Sequence, residues 1–342
     1  AVARVAMLRA ESAAIPKIEV DTRHAAAAFQ SERHLALDRP VELFDGLSGH
    51  YRSADGHVQF HTNFAHHRAG LLDALGLGTT ATRSDVEAAS GLIDRFELEH
   101  RVNAAGGIAS ALRTVDEWNT HPHALANPPE PPVAIRSVND TSRPMPLGLA
   151  PAERPLDGIR VLDMTRVIAG PVCTRTLAAW GATVLRVGAP NLPVVEAVLP
   201  DTTLGKRFCH VDLGEPGGLE LLLGLVADAD VVVTGFRPGA LAGKGVTHDA
   251  LLEANPQLVI AELSAFGTTG PWGSRRGFDS ITQTATGIVD EETRAFGHPS
   301  PRPLPCQFLD HGSGFLLSLG VLGALLRRHQ TGGASLVEVS LL

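Results

Sequence analysis

Residues 159–187 read IRVLDMTRVIAGPVCTRTLAAWGATVLRV. The stretch opens on an apolar run, Ile159–Met164, of the kind a parallel strand buried on both faces requires. It closes on a second such run, Thr183–Val187. Between them GPVCTRTLAAWGA reads as a helix, with Pro171 in its first turn and Gly181 near its end, the asymmetry helices favour. The pattern continues downstream. Phe208–Leu213 is a third strand, and EPGGLELLLGLVADA (215–229) a helix with Leu219, Leu222, Leu223 and Val226 on one face. Asp230–Phe236 is a strand, THDALLEAN (247–255) a short helix, and Gln257–Ser264 another strand. Such alternation predicts an α/β class: a parallel sheet with helices on both faces. Ligands of such sheets sit at the carboxyl ends of the strands.

Upstream the pattern is lost. A joint spanning 126–156 contains NPPEPPVAI and SRPMPLGLAPAERP, and its proline density predicts an extended linker. Residues 1–125 read as a smaller α+β domain. Short strand-like pieces flank a turn at Ala54-Asp55-Gly56, followed by AHHRAGLLDALGL and by RSDVEAASGLIDRFELEHRVNAAGG, read as one helix closed by Gly106-Gly107. The larger, sheet-forming block is placed at 157–342.

Composition narrows the function classes. The chain has 342 residues, 44% of them apolar and 19% charged, enough for two domains and a sizeable core. A net charge of −8 with no basic stripe argues against nucleic acid. Cys173, Cys209 and Cys306 are far apart and form no CxxC pair, so neither a zinc ribbon nor a disulfide framework is expected, and a reducing, cytoplasmic setting fits. No signal peptide is visible at the start of the sequence. The longest apolar stretch, Gly314–Leu326, is short for a bilayer and reads as a buried helix, so no membrane partner is expected.

No GxGxxG follows the first strand, and neither a P-loop nor a GxSxG elbow occurs. His57, His61, His66, His67, His121 and His123 read as partly exposed structural histidines and not as a metal site. GFRPGAL (235–241) offers Arg237 between two glycines, either as a loop that meets an anion or as an ordinary strand-to-helix turn. LGKRF (204–208) brings Lys206 and Arg207 into a strand in the same way. In PCQFLDHGSGFLLSLGVLGALLRRHQTGG an apolar helix is expected to start near Ser313 and to end on basic residues and Gly332-Gly333. Asp310 lies just before that start. There it reads either as a cap or as a carboxylate kept ionised by the helix dipole and able to act as a nucleophile. Gly312 and Gly314 would leave room for a bulky ligand.

Taken in order, four segments resemble the family III CoA-transferases, which include formyl-CoA transferase, carnitine CoA-transferase and the related α-methylacyl-CoA racemase. They are Pro155–Val187, Gly205–Leu241, Asn255–Gly287 and Pro303–Leu342. The resemblance implies a Rossmann-like sheet domain and transfer of CoA between an acyl-CoA thioester and a carboxylic acid. It makes Asp310 the nucleophile, passing through a mixed anhydride to an aspartyl-CoA thioester. It also implies that Val167, Ile168 and Ala169 line the adenine region, that Lys206, Arg207, Phe236, Arg237 and Pro238 lie near the nucleotide, and that Gly267 lies beside the pantetheine arm. No cofactor is expected to be covalently bound at rest, with coenzyme A entering as substrate, and the family's intertwined homodimer is the expected assembly.

The chain departs from the family pattern in places. Phe278 stands where the racemase branch carries an acid/base histidine, with His311 as a possible imidazole source for a racemase or isomerase alternative. Gly243 stands where formyl-CoA transferase has an arginine, with Lys244 as substitute, and Gly188 replaces the usual acid after the second strand. These departures also leave a degenerate CoA-binding protein as an alternative. GHVQFHTNFAHHRAGLLDALG and AAGGIASALRTVDEWNTHPHA resemble segments that follow the sheet domain in family members. Here they precede it, so a rearranged, duplicated or end-lacking form is expected.

Overall fold

The computed structural model describes residues 1–9, 17–36, 38, 42–139, 143–145, 147 and 153–342. Among these, a three-stranded antiparallel sheet runs β1 (Gly49–Arg52), β2 (His57–Phe60) and β3 (Ala109–Ala111). The β1–β2 hairpin closes over Ala54-Asp55-Gly56, where Ser53 N–H donates to Gly56 O at 3.0 Å. Leu71, Val86, Leu98 and Val102 of the neighbouring helices fill its core with Val58 and Phe60. The expected single helix over 83–107 is two, Arg83–Ser90 and Arg95–Ala104. Asp94 restarts the chain as an N-cap, its carboxylate accepting from Phe96 and Glu97 N–H.

The large sheet contains β4 (Ala134–Ser137), β5 (Arg160–Met164), β6 (Thr183–Gly188), β7 (Lys206–His210), β8 (Val231–Thr234), β9 (Val259–Ser264) and β10 (Ser335–Ser340), in the order β4–β10–β9–β8–β5–β6–β7. All neighbours are parallel except β4 against β10. From β7 to β10 this is the order of a doubly wound nucleotide-binding sheet, with the strand order reversing between β5 and β8. Alternate residues divide between two cores. Val161, Val231, Val233 and Val337 pack under helices 169–179 and 308–331, while Leu162, Val232, Ile260 and Leu336 pack under helices 218–227 and 248–254. The strand expected at Phe208–Leu213 lies at Lys206–His210, because pairing with β6 sets its register from Val184↔Lys206 onward. The proline-rich joint is not purely extended chain, since it supplies β4; its residues 140–142, 146 and 148–152 lie outside the described residues.

The helix expected from Ser313 begins five residues earlier and spans Phe308–Thr331. By length and composition it is apolar enough to cross a bilayer, with mean hydropathy 1.4, yet 61% of its apolar window is buried inside the fold. Gly314 leaves no room for ligand. A Cβ there would lie 2.5 Å from Ala169 O, so this glycine is what lets helix 308–331 press against helix 169–179.

Ion pairs join the two blocks. Arg113 and Arg275 both bond Glu99, at 2.5 and 2.9 Å, and Arg275 also donates to Ala109 O at 2.6 Å. Burial raises the Glu99 carboxyl, but the two guanidiniums outweigh it and hold the group below its ordinary range. Within the large sheet, Lys206 Nζ meets Asp163 Oδ2 at 2.8 Å with both side chains 0% exposed, and bonds Pro171 O and Thr174 Oγ1 besides. This pair ties β5 to edge strand β7 and to helix 169–179. Removing one member leaves a buried charge unmatched. Lys206→Met is therefore expected to cost about 3 kcal/mol, read as a lower urea midpoint at unchanged m-value.

Candidate active site

A cavity of about 480 Å³ opens where the strand order reverses, between the loops that follow β5 and β8. The β5 loop supplies Arg166, Val167, Ile168 and Ala169, and the β8 loop Phe236, Arg237 and Pro238. Val167 has φ 70°, in the left-handed region that a β-branched residue avoids. Such strain, of order 1–3 kcal/mol, collects at functional turns. The loop is compressed because Gly170 abuts Thr165: a Cβ at Gly170 would lie 2.5 Å from Thr165 Cβ.

Asp310 forms part of the cavity wall and is 7% exposed. It stands in the first turn of helix 308–331, not before it. Its backbone N–H donates to Asp279 Oδ2 at 3.0 Å. Asp279, first residue of helix 279–285, also accepts from Leu309 N–H and from the Gln283 amide. Burial raises both carboxyls. The donors to Asp279 offset part of its rise, whereas Asp310 is raised further by the charges of Asp279 and Glu32. Both carboxyls are therefore held above their ordinary range, Asp279 at about 6. Desolvation and two neighbouring acids thus work against the ionisation that the helix dipole favours at Asp310.

The smaller block closes the cavity with Phe64, His66 and His67. His61 stacks on Phe278 at 3.8 Å between ring centroids, and His67 meets the same ring edge-on at 5.9 Å. Burial pushes His61 down to about 4 and His67 to about 3, the latter aided by His66, His61, Arg276 and Arg166, so both are neutral at ordinary pH. His61, His67 and His123 are buried, not partly exposed. Arg166 and Arg276 are each lowered by burial and next by a neighbouring arginine, Arg186 and Arg237 respectively. Among the described residues no three His, Cys, Asp or Glu side chains converge as metal ligands.

The cavity unites Val167, Ile168, Ala169, Phe236, Arg237, Pro238, Lys244 and Asp310. Two expected contacts fall elsewhere. Lys206 is spent on Asp163 at the amino end of β7, and Arg207 is exposed on that edge strand; Gly267 lines an adjoining cavity of about 1160 Å³ that shares Phe236, Arg237 and Pro238 with this one. The reason is shared for the first two: strand ends, not strand starts, face the ligand edge. His311 is fully buried and bonds Glu32 Oε2 at 3.0 Å through Nε2, so it does not face the cavity. Sequence reading missed Asp279 as a partner, although an aspartate opening a helix after Phe278 was a usable signal. It also missed Arg166, Arg276 and Glu32, the last having no local signal because His311 is 279 positions away.

The sequence pattern of CoA-transferase family III matches residues 156–342. A probable fatty acyl-CoA transferase of Mycobacterium tuberculosis is 36% identical over 202 residues, 55% of this chain and 50% of that protein. An acetyl-coenzyme A transferase of Hypoxylon pulicicidum is 28% identical over 310 residues, 85% of this chain and 52% of that one. An alignment of that extent includes residues on both sides of the joint, so this relative shares the order of the two blocks. A solved CAIB/BAIF family protein of Brucella suis superposes with TM-score 0.51 at 31% identity, covering 55% of this chain and 53% of that one. The chain spans about half the length of the curated relatives it matches.

Asp310 gives a stability signature. A carboxyl raised in the folded state stabilises fully below its unfolded value, and that contribution is lost as pH rises through the folded value. Asp310→Asn removes the loss. Thermal melts at a series of pH values are expected to show the variant gaining on the wild type as pH rises above the ordinary carboxylate range, by up to about 1.4 kcal/mol per pH unit. A constant offset between the two curves would contradict the buried proton.

Proposed function

Because the chain belongs to CoA-transferase family III, we propose that it transfers CoA between an acyl-CoA thioester and a carboxylic acid through an aspartyl-CoA intermediate at Asp310. The observation that carries the reading is a dry carboxyl on the wall of a cavity at the sheet's reversal point. The Asp310 carboxylate attacks the donor carbonyl, the C–S bond breaks, and CoA leaves as thiolate while a mixed anhydride forms. The thiolate then attacks the Asp310 carbonyl and expels the donor acid as carboxylate, leaving the aspartyl-CoA thioester. The acceptor carboxylate attacks that thioester to give a second anhydride and free thiolate. Attack of the thiolate on the acceptor carbonyl releases the new acyl-CoA and restores Asp310. Both anhydrides hydrolyse in water, which is why burial serves this chemistry.

Val167, Ile168 and Ala169 would hold the adenine end, and Arg237 and Lys244 the phosphates. A homodimer in a reducing cytoplasm is part of the same proposal. Acid–base exchange at the α-carbon has less support, since Phe278 stands at the family's histidine place and His311 is turned to Glu32.

Incubation with a panel of acyl-CoAs, followed by mass spectrometry, is expected to find a CoA-sized adduct on the Asp310 peptide that hydroxylamine cleaves. Its formation is expected to speed up with rising pH, because the raised Asp310 carboxyl must lose its proton before attack. Persistence of the adduct in Asp310→Ala would overturn the assignment. Binding of CoA with no adduct from any thioester would favour a binding protein.

A further inference from the structure

Residues 21–34 lie far upstream of the family-matched segment, yet they dock on the start of helix 308–331. Helix Thr22–Ala28 and the single turn Ser31–Arg33 bring three side chains there. Phe29 stacks on Phe308 at 4.9 Å and contacts Phe315 at 5.5 Å between centroids. Glu32 bonds His311, and Arg33 donates to Pro305 O at 2.6 Å. Phe308, His311 and Phe315 are spaced i, i+3, i+7 and form one helix face. Asp310, two residues past Phe308, projects about 200° away from it, toward Asp279 and the cavity. The upstream segment therefore grips one side of the first turns while the nucleophile emerges on the other.

Resting on the reading of Asp310 as nucleophile, we propose that Glu32 is a positioning residue for it, fixing the first turns of the helix through its bond to His311. The Glu32 side chain is 4% exposed; its Oε2 bonds His311, and its Oε1, buried without a hydrogen bond, lies 3.5 Å from Arg33 Nε. As a third acid near the Asp279–Asp310 pair it also raises Asp310. Burial raises Glu32, but the His311 bond and nearby charges outweigh it and keep the group ionised. Other charged groups stand near, among them Arg166, Asp212, Arg237, Lys244 and Arg275 on the cavity wall. Asp279 faces Asp310 from helix 279–285, and Arg33 shares the Glu32 turn. Arg175 on helix 169–179 is paired to Asp201. His67 and Arg276 belong to the cavity wall.

The test compares wild type, Glu32→Gln and Glu32→Asp by the rate of adduct formation at Asp310 against pH. Gln preserves the shape and a bond to His311 without the charge. Its rate–pH midpoint is expected about one pH unit lower than wild type, with CoA affinity unchanged. Asp retains the charge at shorter reach, so its midpoint is expected to stay at the wild-type place while its rate falls. A Gln profile that superimposes on wild type after scaling would assign Glu32 a structural role only and sink the proposal. If the wild type forms no adduct from any acyl-CoA, the transferase reading fails, and Glu32 is judged by stability instead. The Asp310→Asn gain on raising pH is then expected to level off at lower pH in the Glu32→Gln background than in the wild-type one; identical curves overturn the inference.

Discussion

A helix start leaves backbone N–H groups without partners, and the usual remedy is a side chain at the cap. Gln307 holds that place before helix 308–331 and makes no side-chain cap bond. Asp279, 31 positions upstream and on another helix, accepts the Asp310 N–H instead. Capping, which Asp310 would be asked to do when only its own neighbourhood is considered, thereby falls to a second carboxylate. The donors offset part of the rise that burial imposes on Asp279, whereas the charges beside Asp310 add to its own.

That arrangement holds only if helices 279–285 and 308–331 keep their places within fractions of an ångström. Glycine and buried charge secure them in different ways. Gly314 lets helix 308–331 approach the backbone of helix 169–179 with nothing between, and Lys206 anchors helix 169–179 through Pro171 O and Thr174. Helix 279–285 is held from the smaller block, where Arg113 N–H donates to Thr284 O at 3.2 Å and His50 bonds Thr284 Oγ1 at 3.1 Å. The surroundings of Asp310 are thus assembled from both sides of the proline-rich joint.

The sheet was legible because its strands are continuous apolar runs, the mark of burial on both faces. β5, β6, β8 and β9 lie within two residues of their expected places. β7 was misplaced because CHVDL looks as strand-like as KRFCH, and only pairing with β6 decides between them. β4 was hidden among prolines, and its place at the sheet edge is one where proline neighbours are tolerated. The loops after β5 and β8 carried their residues to the cavity because both follow strand ends. Lys206 and Arg207 enter a strand, so the same cationic character there led to the wrong end of the sheet. Asp310 was legible as a position but not as a charge state, which depends on Asp279 and on Glu32, and neither is near it in sequence.

Burial acts on such a carboxyl in two directions. It holds the proton, which slows attack, and it strips the anion of water, which makes the anion a better nucleophile once formed. A fully solvated aspartate would be ionised at neutral pH but shielded by its own hydration shell, and its anhydride would meet water at once. The structure takes the opposite course, placing acid beside acid in a buried wall so that the charged form is costly. Neutral His67 and the cations Arg166 and Arg276 on the cavity wall add no further negative charge to oppose an anionic substrate. In the proposed transfer that cost is offset only as the carboxylate charge disperses into the carbonyl under attack. A site built this way is protected from hydrolysis by the same low polarity that makes its nucleophile reactive.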